Sequence, residues 1–191
     1  KGLIPGIVAP DEFTRRTGEP ALPLVWQWNH NPDNKLWSVA RRPGFLRLTT
    51  GRADADILAA RNTLTQRTIG PECAGTTALD TSALKDGDCA GLVLLQKKYG
   101  WVGVKAEGGK KRIVMVSAES DRPLEIQSVP LDRKGVFLRA DCDFRNKADT
   151  ARFFFSSDGK TWTPIGQPLK MSYTLPHFMG YRYGLFAYAT K

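Results

Sequence analysis

The chain carries only two histidines, His30 and His177, and three cysteines, Cys73, Cys89 and Cys142. These few residues bound the covalent chemistry open to it. A serine nucleophile needs a histidine base and an orienting acid, and no Gly-x-Ser-x-Gly turn accompanies either histidine. A thiol–imidazole pair is formally open, yet the cysteines sit on or beside apolar runs. Their spacing lacks the close Cys or His pairs of a structural zinc site. One disulfide with a free thiol, or three buried thiols, fit equally well. Hydrolysis between two carboxylates would draw on Asp80, Asp86, Asp88, Asp141 and Asp143. Asp86 and Asp88 bracket Gly87, so a turn accounts for both. Asp141 and Asp143 lie two apart and share one face of a strand. Beside Arg139 and Arg145 they read as solvent-facing ion partners, with a weak calcium or acid pair as the alternative. "GVKAEGGKKR" has Gly-Gly before Lys, but it sits where a hairpin belongs and makes no phosphate loop. The residues do not add up to an autonomous enzyme.

The aromatic residues are the stronger lead. There are five Trp, five Tyr and nine Phe. A sugar ring offers an apolar face of C–H groups and a rim of hydroxyls. It is held by aromatic stacking and by hydrogen bonds from Asn, Gln, Arg and His. Two places hold both ingredients. One is "WQWNHNPDNKLW", Trp26 to Trp37, together with "ARNTLTQR", which contains Arg61, Asn62, Gln66 and Arg67. The other is "HFMGYRYG", His177 to Gly184. The candidate sugar contacts are Trp28, Asn29, His30, Gln66, Trp101, Tyr181 and Arg182. Strand alternation puts Trp26 and Trp28 on one face and Gln27 and Asn29 on the other. Both indoles are then inside the fold or on its ligand-facing side.

The elements that must position these residues are short strands between frequent turns. Turn signals stand at Pro32-Asp33-Asn34, Pro43-Gly44, Asp86-Gly87-Asp88, Gly108-Gly109 and Asp158-Gly159. Between them run β-branched and aromatic stretches such as "GFLRLTT", "AGLVLLQ", "WVGVKA", "RIVMVSAE", "GVFLRADCDF", "ARFFFSS" and "YGLFAYAT". In "RIVMVSA" the residues Ile113, Met115 and Ser117 face one side and Val114 and Val116 the other, as in a strand buried on one or both faces. Ser157-Asp158-Gly159-Lys160 reads as a hairpin turn, returning Trp162 to the sheet across from Phe154 or Phe155. The best helix candidate, "DADILAARNTL", holds few apolar anchors. The pattern predicts an all-β fold: an antiparallel two-sheet β-sandwich or jelly roll.

The totals set further bounds. A chain of 191 residues suits one domain with an added arm. Residues 1–10 read as a linker or N-terminal arm and 11–191 as the sandwich. "KGLIPGIVAP" is too short and too broken by proline for a signal peptide. No run approaches the ~18 apolar residues of a membrane span. With 28 Lys+Arg against 19 Asp+Glu the net charge is +9. That charge invites a nucleic-acid reading, but the basic residues are scattered and no RNA- or DNA-binding motif accompanies them. The expected partners include neither nucleic acid nor membrane. An acidic polysaccharide or a neighbouring domain would suit the charge equally.

Taken in order, "LVWQWNHNPDNKLWSVARRPGFLRL", "ARNTLTQRTIGP", "LKDGDCAGLVLLQKKYGWVGV", "FFFSSDGKTWTPIG" and "FMGYRYGLFAYAT" resemble one known domain. It is the C-terminal concanavalin A-like β-sandwich of glycoside hydrolase family 43 β-xylosidases and α-L-arabinofuranosidases, also classed as carbohydrate-binding module family 91. The resemblance spans Asp11 to Lys191. It implies a secreted or periplasmic, non-catalytic module that binds xylan or xylo-oligosaccharide, with no cofactor beyond a possible structural calcium ion. It also implies an N-terminal β-propeller catalytic domain that holds the catalytic acids, and a loop lent by the sandwich to the propeller's pocket. That loop matches "PHFMGYRYG", with Phe178 as the pocket-wall aromatic. The alternative is a purely structural domain packed on its propeller. Relatives usually continue past "LFAYAT" with a Gly-rich turn and an Asp-Phe-Asp strand. Stopping at Lys191 would leave an unpaired sheet edge. The segment "FTRRTGEPALP" is also longer than usual and is expected to reshape one rim.

Overall fold

Gly108 and Gly109 both take positive φ, 59° and 72°. This is the backbone that a two-residue hairpin turn demands. They join two long strands and so start the meander on which the fold is built. The computed structural model describes residues 10–120, 122–172 and 180–191. In chain order the strands are β1 (Gln27–Trp28), β2 (Trp37–Ser38), β3 (Arg47–Leu48), β4 (Leu64–Arg67), β5 (Glu72–Asp80), β6 (Asp88–Leu95) and β7 (Tyr99–Glu107). They continue with β8 (Lys110–Ala118), β9 (Leu124–Pro130), β10 (Gly135–Asp143), β11 (Thr150–Ser156), β12 (Thr163–Lys170) and β13 (Arg182–Ala189). Among the described residues the only helical piece is a 3-10 turn at Arg145–Lys147.

The strands form a seven-stranded sheet, β1-β4-β13-β6-β7-β8-β9, and a four-stranded sheet, β12-β11-β10-β5. A small ribbon pairs β2 with β3. Every pairing between these strands is antiparallel. The expected two-sheet sandwich is therefore the observed one. The last strand, β13, lies inside the large sheet, hydrogen-bonded to β4 on one side and β6 on the other. "LFAYAT" is thus an internal strand, the third of seven.

Strands β6, β7 and β8 of the large sheet are buried on both faces. Leu92, Leu94, Val102, Val104, Ile113 and Met115 point between the sheets, against Leu138, Ala140, Phe153 and Leu169. The alternate residues Val93, Trp101, Val114, Val116 and Phe186 form a second apolar cluster on the outer face. The two-sided reading of "RIVMVSA" holds, with Ser117 buried on the first side. The outer face is covered by the segment around "DADILAARNTL", the weak helix candidate. Residues 53–63 form turns instead. The Asp56 carboxylate accepts from the N–H groups of Leu58 and Ala59 at 2.9 and 3.3 Å, which substitutes a side chain for helical hydrogen bonds. Ile57 and Ala60 then drop into the outer cluster at 0% and 1% exposure.

A second correction concerns Trp162. The Asp158 carboxylate accepts from both Lys160 and Thr161 N–H at 2.8 Å. This widens the turn, so Thr163 is the residue opposite Phe155. Trp162 falls just before β12, with the Arg139 guanidinium 5.7 Å from its ring centroid. "GFLRLTT" also contributes only Arg47–Leu48 as strand.

One polar group ties the sheets together. Tyr183, on β13, sends its hydroxyl across the core to the ends of β5 and β10. The oxygen lies 3.1 Å from the Cys73 carbonyl, 3.2 Å from the Ala140 carbonyl and 3.3 Å from the sulfurs of Cys73 and Cys142. All three cysteines are free thiols. Burial pushes the Tyr183 hydroxyl far above its ordinary pKa, so it stays protonated and donates.

Two outcomes follow from these contacts. Tyr183→Phe removes a bond between the sheets and lowers unfolding free energy by about 1 kcal/mol in urea titration. The Asp158 carboxyl, held by Thr161 and Lys160 N–H groups, titrates near about 2 instead of 3.8. A depressed pKa favours the folded state above the ordinary carboxylate value. That contribution therefore fades as pH falls from about 4 to about 2, and carboxyl chemical shifts read the midpoint.

Candidate functional site

The outer face of the large sheet ends at β1, β4 and β13, and the opening motif is folded onto that end. β1 pairs with β4 through Gln27↔Thr65 and Trp28↔Leu64. Beyond β1 the chain turns, and "NHNPD" is clamped onto "ARNT". Asn62, 7% exposed, accepts from Asp33 N–H at 2.9 Å and donates to the Asp33 carbonyl at 3.0 Å. An amide side chain thus pairs with the backbone as a strand neighbour would. Arg61 Nε donates to the Asn31 carbonyl at 2.9 Å, and His30 Nε2 lies 2.9 Å from the Leu58 carbonyl. The two stretches singled out as one site are therefore in contact.

The centre of this end is Arg182. Its Nη2 donates to Asn29 Oδ1 at 2.6 Å and its Nη1 to Thr65 Oγ1 at 3.2 Å. Thr65 is fully buried. Asn29 is fixed in turn by its N–H on the Thr63 carbonyl at 2.9 Å. Arg182 sits opposite Arg67 in the strand register. Burial, and then the Arg67 charge, lower its pKa, yet as an arginine it remains charged. Among the described residues no carboxylate pairs with it. A half-buried cation presented by two neutral side chains can hold a hydroxyl rim or an anion.

The tryptophans divide. Trp26 and Trp28 are both half-buried and neither enters a core cluster. Trp26 donates to Asp11 at 2.7 Å and stacks on Phe13 at 5.5 Å, which pins the N-terminal stretch. Trp28 packs against Trp37 at 5.2 Å with planes 54° apart, and strand alternation turns it to the face opposite Asn29.

Other predicted contacts are placed elsewhere. Trp101 is 1% exposed in the outer cluster, edge-on to Phe186 at 5.2 Å, so it has no face open to a sugar. Tyr181, 6% exposed, belongs to the core between the sheets, and its hydroxyl accepts from Ser172 N–H at 3.4 Å. Gln66 stands opposite Tyr183 in the register, so it points to the sandwich interior, away from Arg182. Trp101 is sealed under the outer face, Tyr181 in the core between the sheets, and the pleat turns Gln66 away from Arg182. Phe178 and His177 lie outside the described residues. Arg52, missed in the sequence, joins His30, Asn31 and Arg61 around a surface depression. A turn brings it there, and no periodic signal marks it.

The acids are occupied in local contacts. Asp141 pairs with Arg139 at 2.6 Å and Asp143 with Arg145 at 2.7 Å. Asp86 accepts from the Gly108 and Gly109 N–H groups at 2.9 and 3.0 Å. Asp88 accepts from Lys85 N–H at 2.8 Å, and Asp80 pairs with Arg42. Among the described residues no cluster of three or more His, Cys, Asp or Glu has metal-binding geometry. None of their helices is long and apolar enough to cross a membrane.

Comparison with known proteins adds to this geometry. Residues 11–191 match the family described as the β-xylosidase C-terminal concanavalin A-like domain. A β-xylosidase of Formosa agariphila is 28% identical over 203 residues, covering 95% of this chain and 32% of its own length. Among solved structures, a bifunctional GH43-CE protein of Bacteroides eggerthii is 60% identical with a TM-score of 0.96, covering 100% of this chain and 25% of that one. The GH43 BlXynB protein from Bacillus licheniformis is 28% identical with a TM-score of 0.79, covering 93% of this chain and 35% of that one. The chain therefore spans about a third or less of the length of these three relatives.

The clamp between the two motifs is testable. Asn62→Ala leaves the Asp33 N–H and carbonyl without their partner, and stability falls by about 1–3 kcal/mol in denaturant titration.

Proposed function

The chain belongs to the β-xylosidase C-terminal concanavalin A-like domain family, and on that premise we propose that it holds a xylan or arabinoxylan chain beside the active site of a larger hemicellulose-degrading enzyme. Members of this family are non-catalytic accessory domains. The catalytic acids would stand on a β-propeller N-terminal to this domain, in a secreted or periplasmic enzyme. The segment before Gly180 would be lent to the propeller's pocket, with Phe178 lining its wall.

The observation that carries the sugar-binding reading is the Arg182–Asn29–Thr65 group. A half-buried guanidinium oriented by two neutral side chains suits a rim of sugar hydroxyls. Trp28, one residue before Asn29 on the edge strand β1, packs with Trp37 and would supply the apolar contact from the other side of that strand. Binding here is stacking plus hydrogen bonding, with no bond made or broken. Arg182 also follows Gly180 by two residues, so the lent segment leads directly into the sugar-holding strand.

A structural reading is favoured by a different observation. Leu24 is 99% exposed and Val25 44% exposed, immediately before the opening motif. Exposed aliphatic residues of this kind suit a docked neighbouring domain. In that reading the sandwich packs on the catalytic domain without holding sugar.

Calorimetry of the 191-residue chain with xylo-oligosaccharides separates the two. Saturable binding is expected, weakened by about 1–3 kcal/mol in Trp28→Ala and by a comparable amount in Arg182→Ala. Absence of binding to xylan, arabinan and acidic xylans would leave only the structural role.

A further inference from the structure

The two residues after Asn29 line a shallow depression of about 430 Å³, walled by His30, Asn31, Arg52, Leu58, Ala59 and Arg61. Its basic groups are each fastened to the wall by part of their donor set. Arg61 uses Nε on the Asn31 carbonyl at 2.9 Å. Arg52 uses Nε on Asp54 at 2.8 Å and Nη2 on the Ala59 carbonyl at 3.1 Å. The Leu58 carbonyl, 2.9 Å from His30 Nε2, fixes that nitrogen as a donor. Among the described residues no hydrogen-bond partner holds either terminal nitrogen of Arg61 or Nη1 of Arg52. Among the described residues no carboxylate pairs with Arg61, while Asp54 balances Arg52. The depression therefore carries a net positive charge. Leu58, 39% exposed, gives it an apolar side.

We propose that this depression is a subsite for the carboxylate of a uronic acid branch on a hemicellulose chain. The inference rests on the sugar-binding reading above and adds the chemical class of the branch. A planar guanidinium with its Nη edge free matches a carboxylate in a two-bond fork. A pyranose also needs an apolar surface for its C–H face, which Leu58 and Ala59 supply. The volume falls within the ~300–1,000 Å³ of small-molecule sites, and the concavity suits one ring better than a flat protein face. Placement supports the same occupant. Asn29 belongs to the chain-holding group and His30 to the depression. A chain seated at Arg182 therefore lies next to the place where its acidic branch is received.

The test compares three titrants on the 191-residue chain: xylotetraose, the same oligosaccharide bearing one glucuronate branch, and poly-L-glutamate. The branched sugar is expected to bind at least about tenfold tighter than the neutral one, and free glucuronate but not xylose should compete. Salt should erode this preference, because an exposed ion pair is screened. Arg61→Gln and Arg52→Gln should each reduce it below about threefold with the neutral affinity unchanged. Circular dichroism and Tm confirm that the variants fold. Equal affinity for the two sugars overturns the uronate subsite and leaves the sugar-binding reading standing. Tight binding of the branched sugar with no neutral binding sinks the Arg182 reading and keeps the subsite. A preference that survives both substitutions overturns the assignment. Arg61-dependent capture of poly-L-glutamate without glucuronate binding also overturns it, in favour of a protein contact.

Discussion

The architecture turns on a sheet that must be covered twice. Strands β6, β7 and β8 are apolar at successive positions, so neither of their faces can remain in water. The four-stranded sheet covers one face. Among the described residues, irregular chain carrying Ile57 and Ala60 covers the other. Buried apolar area stabilises by roughly 25 cal/mol per Å² whatever backbone delivers it, so turns serve as well as strands provided their own polar groups are satisfied. The Asp56 carboxylate on Leu58 and Ala59 N–H groups and the Asn62 amide on Asp33 provide that satisfaction. The covering segment then delivers Arg61 to the rim of the same face, where it meets the Asn31 carbonyl of the turn after β1.

Charge is distributed with a related logic. Many carboxylates are taken up by turn N–H groups or by adjacent arginines: Asp86, Asp158, Asp141 and Asp143 each hold such partners at 2.6–3.0 Å. Several cations face no acid among the described residues, Arg61 and Arg182 among them. A chain of net charge +9 thus presents its surplus as specific donors rather than a uniform basic coat. Its acids serve structure and its free arginines are available for recognition. This division fits an accessory domain better than a hydrolytic centre, where two acids would be held apart from local partners.

Much of this was legible in the residues. Period-2 alternation with glycine-rich turns specified an antiparallel sandwich, and "RIVMVSA" showed its two buried faces. The Asp86-Gly87-Asp88 turn and the Arg-paired acids of β10 were also readable, because their partners lie within a few residues or one hairpin. Asn29 and Arg182, both named from residue type, meet in a 2.6 Å hydrogen bond. The places of Trp101, Tyr181 and Gln66 were not legible, because an aromatic or amide suits a sugar site and a sandwich interior equally well. Only the register tells which way each points. Arg52 left no signal, since its neighbours in space are turn residues at irregular spacing.

Local rules and global packing divide at this point. The sequence by itself determined the strands, most of the turns and the type of fold, because hydrogen-bond geometry and side-chain alternation act over two to four residues. Only the tertiary structure decided that 53–63 seals a sheet face with turns, that β13 lies inside its sheet between β4 and β6, and that Arg182 meets Asn29. Those outcomes depend on which apolar surface remains uncovered after the strands have paired, a quantity no short window of sequence contains.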